Sequence, residues 1–83
     1  MISVLIVEDQ RMARENMENH IRESGRYHLA AAIPNAALAE LYCMQQRIDL
    51  VLMDICTEND ESGLEAAERL KRRFPQIKII MVT

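Results

Sequence analysis

Carboxylate and hydroxyl side chains follow the apolar runs of this sequence. The positions are Glu8 and Asp9 after residues 4–7, Asp54 after residues 50–53, and Thr83 after residues 79–82. Carboxylates that lie close together repel one another, so such a cluster costs stability unless a cation neutralises it. The ligands are all oxygen atoms, which favours Mg²⁺ over zinc, and a carboxylate beside Mg²⁺ can attack a phosphoryl group. The residue types therefore point to phosphoryl chemistry at a magnesium site.

The elements that must bring these residues together are the strands of a parallel sheet. Short apolar runs alternate with segments of helical period, which is the rhythm of an α/β domain. The predicted strands are residues 3–7, 27–33, 49–53 and 78–82. Open α/β sheets bind ligands outside the carboxyl ends of their strands. A strand order of 2-1-3-4 makes the first, third and fourth strands neighbours, and their polar ends then meet in one shallow crevice.

Three amphipathic helices are predicted between the strands. The first begins at Asp9 or Gln10 and ends at Gly25, the second follows an N-cap at Asn35, and the third begins at the capping box of Ser62 and Glu65. Pro75 stops the third helix. The predicted inward faces are Ala13, Met17, Ile21 and Ser24 for the first helix, Ala37, Leu41, Met44 and Ile48 for the second, and Leu64, Ala67, Leu70 and Phe74 for the third.

Composition excludes several classes of protein. With 83 residues the chain is one domain at most, and no apolar run approaches the roughly 20 residues that cross a bilayer. The N-terminal apolar stretch has no basic flank, so it does not predict a signal peptide. Cys43 and Cys56 form neither a metal motif nor a disulfide framework. A net charge of -3 does not produce the positive field that would attract nucleic acid. We expect a cytoplasmic protein with reduced thiols, no membrane contact and no DNA contact of its own.

The ordered motifs resemble the receiver domain of bacterial two-component response regulators. The motifs are VLIVED at residues 4–9, DLVLMD at 49–54, GLEA at 63–66 and IIMVT at 79–83. The resemblance covers residues 1–83 but only about the first two thirds of a receiver, so it implies a partial domain that lacks the fifth strand and the last helices. It implies a three-layer, flavodoxin-like α/β fold with a parallel sheet in the order 2-1-3-4.

The resemblance also implies a role for each site residue. Asp54 would accept a phosphoryl group from a sensor histidine kinase, which makes the domain a switch and not an enzyme. Glu8, Asp9, Asp54 and the backbone carbonyl of Cys56 would hold Mg²⁺. Thr83 would be the switch hydroxyl that turns toward the phosphoryl oxygens. The output module in this family is most often DNA-binding, so the parent would be a transcription regulator whose DNA contacts lie outside this chain.

Two features depart from the family pattern. The loop after Asp54 reads ICTENDES, without the proline that usually follows the phosphorylated aspartate. The family's fifth-strand lysine has no counterpart here, because neither Lys71 nor Lys78 occupies a matching position. In such a shortened sheet the outer edge of the fourth strand would be open, and we expect a homodimer or an exchange of the terminal segment through it.

Less specific interpretations stay open for several residues. Glu8 and Asp9 could simply cap the first helix, and Asp54 could be a solvated turn residue. The acidic loop residues could extend the metal site or could simply be solvated; they are Glu58, Asp60 and Glu61. The basic run from Arg69 to Arg73 could contact nucleic acid, or it could only stabilise the negative end of the helix dipole. His20 could be a phosphorelay histidine, but the sequence does not supply the second helix of the bundle that would support that role. Two other functions remain alternatives: a receiver-like interaction module that is never phosphorylated, and an aspartate-nucleophile phosphohydrolase.

Overall fold

The protein is a four-stranded parallel sheet with helices on both faces. The computed structural model describes residues 1–54 and 61–82, with residues 54 and 61–63 described through their backbone alone. The elements are β1 Ile2–Val7, α1 Arg11–Ser24, β2 Tyr27–Ile33, a 3₁₀ turn at Ala36–Leu38, α2 Ala39–Gln45, β3 Leu50–Asp54, α3 Glu61–Arg73 and β4 Lys78–Val82. The strand order is β2-β1-β3-β4, which confirms the predicted flavodoxin-like α/β arrangement.

The sheet separates two apolar layers. Leu5, Val7, Val51 and Met53 pack on one face against Ala39 and Cys43 of α2 and Ala66 and Leu70 of α3, as parts of a single core cluster. Val4 and Ile6 are also fully buried. Because side chains alternate along a strand, these two residues lie on the opposite face, and α1 packs there against β1 and β2. The continuous run of apolar residues in β1 therefore results from burial of the strand on both faces.

Asp49 connects the starts of three strands. Its backbone N–H donates to Ser3 O at 2.9 Å, and its carbonyl accepts from Lys78 N at 3.0 Å. Its carboxylate accepts from Ser3 N at 2.9 Å and from Arg47 Nε at 3.2 Å. The Ser3 hydrogen bond, helped by the Arg47 charge, lowers the pKa of Asp49 below its usual 3.8. This stabilisation is present above the ordinary pKa and is lost as the pH falls through the folded value.

The helix termini follow local chemistry. Gly25 ends α1 with φ of 69° and its N–H donates to Arg22 O, as predicted for a left-handed C-cap. Asn35 Oδ1 accepts from Ala37 N at 2.7 Å, which confirms the predicted N-cap. The start predicted for α3 at Ser62 is one residue late, because the helix begins at Glu61. The reciprocal side-chain bonds of the predicted capping box lie outside the described residues.

The inward face predicted for α2 is wrong in part. In α2 the buried side chains are Ala39 and Cys43, while Leu41 and Met44 are 46% and 56% exposed. Ile48 is buried as predicted, but it follows the helix. The 3₁₀ turn before α2 has about three residues per turn, so a 3.6-residue period counted from Ala37 falls out of phase.

The other differences concern single residues of α1 and α3. Leu64 is 59% exposed, and Ala66 takes the inward position beside Leu70. Ser24 is exposed, and its hydroxyl donates to Ile21 O at 2.8 Å. The predicted partners Ala13, Met17 and Ile21 are half-buried against the sheet. No helix in the described part of the chain is long and apolar enough to span a membrane.

The two leucines of α3 provide a matched test of this core. Leu70 is 1% exposed and Leu64 is 59% exposed. We expect Leu70→Ala to lower the free energy of unfolding by about 2–5 kcal/mol, because it removes buried surface and leaves a cavity. Leu64→Ala should change it by about 0.5 kcal/mol, as is usual for a surface position. Urea denaturation followed by circular dichroism measures both, and equal losses in the two variants would contradict the assigned face.

Candidate functional site

The end of β1 holds an acidic residue inside the protein. Glu8 is only 6% exposed, although its neighbour Asp9 is exposed. Glu8 N–H donates to Ile33 O at 3.0 Å, and Glu8 Oε2 accepts from Gln10 N at 2.9 Å. A carboxylate is kept in a buried position only where hydrogen bonds or opposite charges compensate its lost hydration. These contacts fix the side chain of Glu8, which the sequence predicts to be a magnesium ligand.

Arg14 holds the same strand end from the helix side. Its Nη1 donates to the Glu8 carbonyl at 3.0 Å, and its backbone N–H donates to Gln10 O at 2.9 Å. The guanidinium therefore joins the second turn of α1 to the end of β1 and places a positive charge beside the acidic pair. Sequence reasoning missed this residue. The only signal was a basic residue on the helix that directly follows the acids.

Capping alone does not explain the acidic pair. The N-cap of α1 is Gln10, which makes no side-chain capping bond, and the first turn contains no acidic residue. Asp9 therefore precedes the cap, and the predicted start at Asp9 or Gln10 is one or two residues early, because the helix begins at Arg11. The pair occupies the turn between strand and helix, where carboxylates can meet a ligand outside the sheet edge.

The strand register brings Asp54 level with Glu8. Val7 lies opposite Met53 in the β1–β3 pairing, so Glu8 and Asp54 are the next positions on adjacent strands. Asp54 in turn lies opposite Val82 of β4. Adjacent strands are about 4.8 Å apart, so the ends of β1, β3 and β4 form one edge. The Asp54 side chain, Cys56 and Thr83 lie outside the described residues, so their roles stay predictions.

This edge has the donor chemistry that Mg²⁺ requires. Glu8, Asp9 and Asp54 are carboxylates, and hard oxygen ligands suit Mg²⁺ in proteins. Within the described residues no three His, Cys, Asp or Glu side chains are grouped closely enough to hold a metal ion. That search does not include the Asp54 side chain or residues 55–60, which contain Cys56, Glu58 and Asp60. The Glu61 side chain is likewise not described.

Other chemically capable residues lie away from this edge. His20 and His28 are exposed on α1 and β2. Cys43 lies in the core, where burial, with a smaller effect from the Glu40 charge, raises its pKa to about 11. Its thiol is therefore protonated at neutral pH and is a poor nucleophile.

The basic end of α3 is occupied by contacts within the protein. Arg69 Nε lies 3.6 Å from Glu40 Oε1, and Arg73 also pairs with Glu40. Lys71 Nζ donates to Pro75 O at 3.2 Å and to Ile77 O at 3.0 Å. These contacts join α3 to α2 and satisfy carbonyls beyond the end of α3. They support the structural interpretation of the basic run over a nucleic-acid surface.

The parallel α/β sheet with acidic residues at its carboxyl edge is typical of one family, and comparison of the sequence with family models identifies that family. A sequence model of the response regulator receiver domain matches residues 4–83, and the chain belongs to that family. It is a receiver domain of the two-component response regulators. VraR, a response regulator protein of Staphylococcus aureus, is 30% identical over 82 residues. The match covers 99% of this chain and 39% of VraR, so the chain spans well under half the length of that relative.

Solved structures share the fold. TrrA, a response regulator from Thermotoga maritima solved in complex with Mg²⁺ and beryllium fluoride, matches with a TM-score of 0.84 at 31% identity. The match covers 98% of this chain and 68% of TrrA. RcsB from Salmonella enterica serovar Typhimurium, solved bound to a promoter, matches with a TM-score of 0.83 over 98% of this chain and 68% of that one. Its identity of 14% shows a common fold alone.

The Arg14 contact can be tested without any ligand. We expect Arg14→Ala to lower the free energy of unfolding by about 1 kcal/mol, because the half-buried Glu8 carbonyl loses its hydrogen bond. The matched control is Arg11→Ala, which removes a guanidinium that is 82% exposed and pairs with Glu15. Such an exposed pair contributes about 0.5 kcal/mol or less. Denaturant titrations of both variants measure the difference, and equal stabilities would contradict a structural role for Arg14.

Proposed function

We propose that this chain is the phosphoacceptor part of a response regulator, in which Asp54 receives a phosphoryl group from a sensor histidine kinase. The observation that carries the proposal is the strand register, which sets Glu8 and Asp54 at neighbouring strand ends. Membership of the receiver family supports it. In this proposal the domain acts as a signalling switch in the cytoplasm, without contact to a membrane.

Mg²⁺ would be held by Glu8, Asp9, Asp54 and the backbone carbonyl of Cys56. Two observations support this set: Glu8 is fixed in a buried position, and Asp9 beside it is open to solvent. TrrA, which is 31% identical, was solved with Mg²⁺ and beryllium fluoride. When bound, the metal ion supplies positive charge that offsets the repulsion of the carboxylates and the charge of the transferred oxygens.

The transfer step requires little from the protein beyond positioning. A carboxylate oxygen of Asp54 attacks the phosphorus atom, and the new P–O bond forms as the P–N bond to the kinase histidine breaks. The histidine keeps the electron pair of that bond and takes up a proton. The product is an acyl phosphate on Asp54, and the Thr83 hydroxyl would then turn toward the phosphoryl oxygens. The added charge is the switching event.

The two lysines of the chain, Lys71 and Lys78, do not contact this site in the structure. Lys78 begins β4 at the opposite end of the sheet, and Lys71 donates to carbonyls after α3. The family's phosphoryl-pairing lysine therefore has no counterpart among the described residues.

The signal would be read by a module in a longer chain. The match covers 39% of VraR, and residues 1–83 would form part of one receiver domain. The output module would therefore lie in another part of the longer protein. RcsB, which shares the fold, was solved bound to a promoter. We propose a DNA-binding output and transcription regulation for the whole protein.

Phosphoryl uptake tests the proposal directly. The chain is incubated with acetyl phosphate and Mg²⁺, and its intact mass is measured. We expect one added phosphoryl group, which disappears in Asp54→Asn or when EDTA removes Mg²⁺. Glu23→Gln is the matched control, because Glu23 is an exposed carboxylate near the far end of α1 and should leave uptake intact.

Each other result has a definite meaning. Unchanged uptake in Asp54→Asn would exclude Asp54 as the acceptor. A folded chain that takes up no phosphoryl group would favour an unphosphorylated interaction module. Sustained hydrolysis of a phosphomonoester would favour the phosphohydrolase alternative.

Mg²⁺ should also stabilise the fold. A free Mg²⁺ concentration about ten times the dissociation constant adds about 1.4 kcal/mol of stability if only the folded state binds. We expect the Tm to rise by several degrees and the rise to be lost in Asp9→Asn. Glu23→Gln is the matched control, because Glu23 is an exposed carboxylate near the far end of α1. A Tm that does not respond to Mg²⁺, or an equal response in all variants, would contradict the metal site.

A further inference from the structure

The side chain of Arg14 binds the end of β1 and not a carboxylate of its own helix. Glu18 lies one turn further along α1, at the usual spacing for an ion pair, but it pairs with Arg22 at 3.2 Å. Arg14 Nη1 donates instead to the Glu8 carbonyl at 3.0 Å. Within the described residues the Arg14 side chain makes no other hydrogen bond and no ion pair. This half-buried guanidinium is therefore committed to one backbone carbonyl.

The carbonyl that Arg14 binds belongs to the peptide unit between Glu8 and Asp9. The N–H of Glu8 donates to Ile33 O at 3.0 Å, and its Oε2 accepts from Gln10 N at 2.9 Å. Because a peptide unit is planar, a hydrogen bond that holds its carbonyl also restricts the position of the next Cα atom, which is that of Asp9. The backbone of the acidic pair is therefore held from β2, from the turn and from α1.

The side chain of Asp9 has no comparable support. Its carboxylate is exposed, and it makes no hydrogen bond or ion pair within residues 1–54 and 61–82. The direction of this side chain is therefore set through its backbone, on which the Arg14 bond acts directly. A ligand that must first be ordered binds a cation less tightly, because the lost conformational freedom opposes binding.

We propose that Arg14 is a positioning residue for Mg²⁺, which holds the peptide between Glu8 and Asp9 so that the Asp9 carboxylate is in place before the cation binds. Arg14 itself touches neither the metal nor the phosphoryl group. The inference rests on the proposed function, because it requires a metal site at the end of β1. Groups that orient metal ligands without touching the metal commonly change metal affinity by about 10- to 100-fold.

The charge of Arg14 and its hydrogen bond act on Mg²⁺ binding in opposite directions. A guanidinium beside the acidic pair repels a cation, so its charge alone weakens binding. The hydrogen bond reduces the cost of ordering Asp9, so it strengthens binding. Water and salt screen charges at an exposed edge, whereas they do not weaken a constraint on backbone position in the same way. The positioning effect is therefore the larger one, and the sign of the change in affinity distinguishes the two.

Arg11 supplies a comparison on the same helix. It directly follows Gln10, so it places the same charge close to the acidic pair. Its side chain is 82% exposed and pairs with Glu15 at 3.1 Å, with no bond to the end of β1. Removal of Arg11 thus changes the local charge and leaves the Glu8 carbonyl bound.

Titration of the ¹⁵N-labelled chain with Mg²⁺, followed by amide NMR, measures the dissociation constant of each variant. Arg14→Met keeps the apolar stem but loses the donor and the charge, and we expect it to raise the dissociation constant about tenfold. Arg14→Lys keeps the charge and a donor, and because only one bond is needed it should stay within about threefold of the parent. Arg11→Met is the matched control and should not weaken binding. Circular dichroism verifies that each variant is folded.

The Asp9 amide signal tests the positioning without a metal ion. Its nitrogen belongs to the peptide unit that Arg14 binds, so its chemical shift should change in metal-free Arg14→Met, while the signals of Ser3 and Asp49 at the opposite end of the sheet stay in place. A role of Arg14 in stability alone would change neither the Asp9 signal nor the Mg²⁺ affinity of the folded chain.

Each contrary result overturns the inference in a distinct way. If the parent binds Mg²⁺ and Arg14→Met binds it equally well, Arg14 does not position the site, and the proposed phosphoacceptor function stands. Tighter binding by Arg14→Met would show that the charge outweighs the positioning. Equal weakening in Arg14→Met and Arg14→Lys would exclude the carbonyl bond as the cause. A parent chain that binds no Mg²⁺ would contradict the metal site of the proposed function itself, and the role of Arg14 with it.

Discussion

The parallel register of β1, β3 and β4 is the constraint on which the rest of the molecule depends. Asp49 sets it at one end of the sheet, where its backbone and carboxylate contact Ser3 and its carbonyl accepts from Lys78. Because the three strands run in the same direction from this junction, their carboxyl ends reach the same level. The acidic edge is thus a consequence of contacts made at the opposite end of the strands. The Ser3 hydrogen bond, together with the Arg47 charge, favours the charged Asp49 carboxylate at this junction and lowers its pKa.

The site places a cost on the fold that local contacts offset. Glu8 is buried at the end of β1, where its side chain accepts from Gln10 N and its carbonyl accepts from Arg14. These bonds hold one carboxylate still while Asp9 stays exposed next to it. A cluster with one fixed and one accessible acid is suited to a cation that keeps part of its hydration, as Mg²⁺ does. In the proposed phosphoacceptor role, the negative charge added at this edge would be the switching event.

The sequence predicted the strands and their order well, because β1, β3 and β4 each contain a continuous apolar run and right-handed crossovers leave few arrangements. Helix faces were harder. The sequence predicts that Leu41 and Met44 face inward, but a 3₁₀ turn before α2 changes the phase of the helix, and no residue pattern indicates that turn. Arg14 acts through the Glu8 carbonyl six residues earlier, and Asp49 acts through the backbone of Ser3 and Lys78, so periodicity could not reveal them. Of the predicted site, Glu8 and Asp9 are described at the sheet edge, whereas Cys56, Thr83 and the Asp54 side chain stay predictions.

Paramagnetic relaxation by Mn²⁺ in place of Mg²⁺ tests most directly whether the three strand ends form one cation site. In an amide NMR spectrum of the labelled chain, signal loss depends on distance from the bound ion. We predict that the signals of residues 7–10 and 53–54 broaden first, while those of Ser3, Asp49 and Leu50 at the opposite end stay sharp. Broadening that begins at Asp49 or Glu40, or that spreads evenly over the exposed acids, would contradict the site at the carboxyl edge of the sheet.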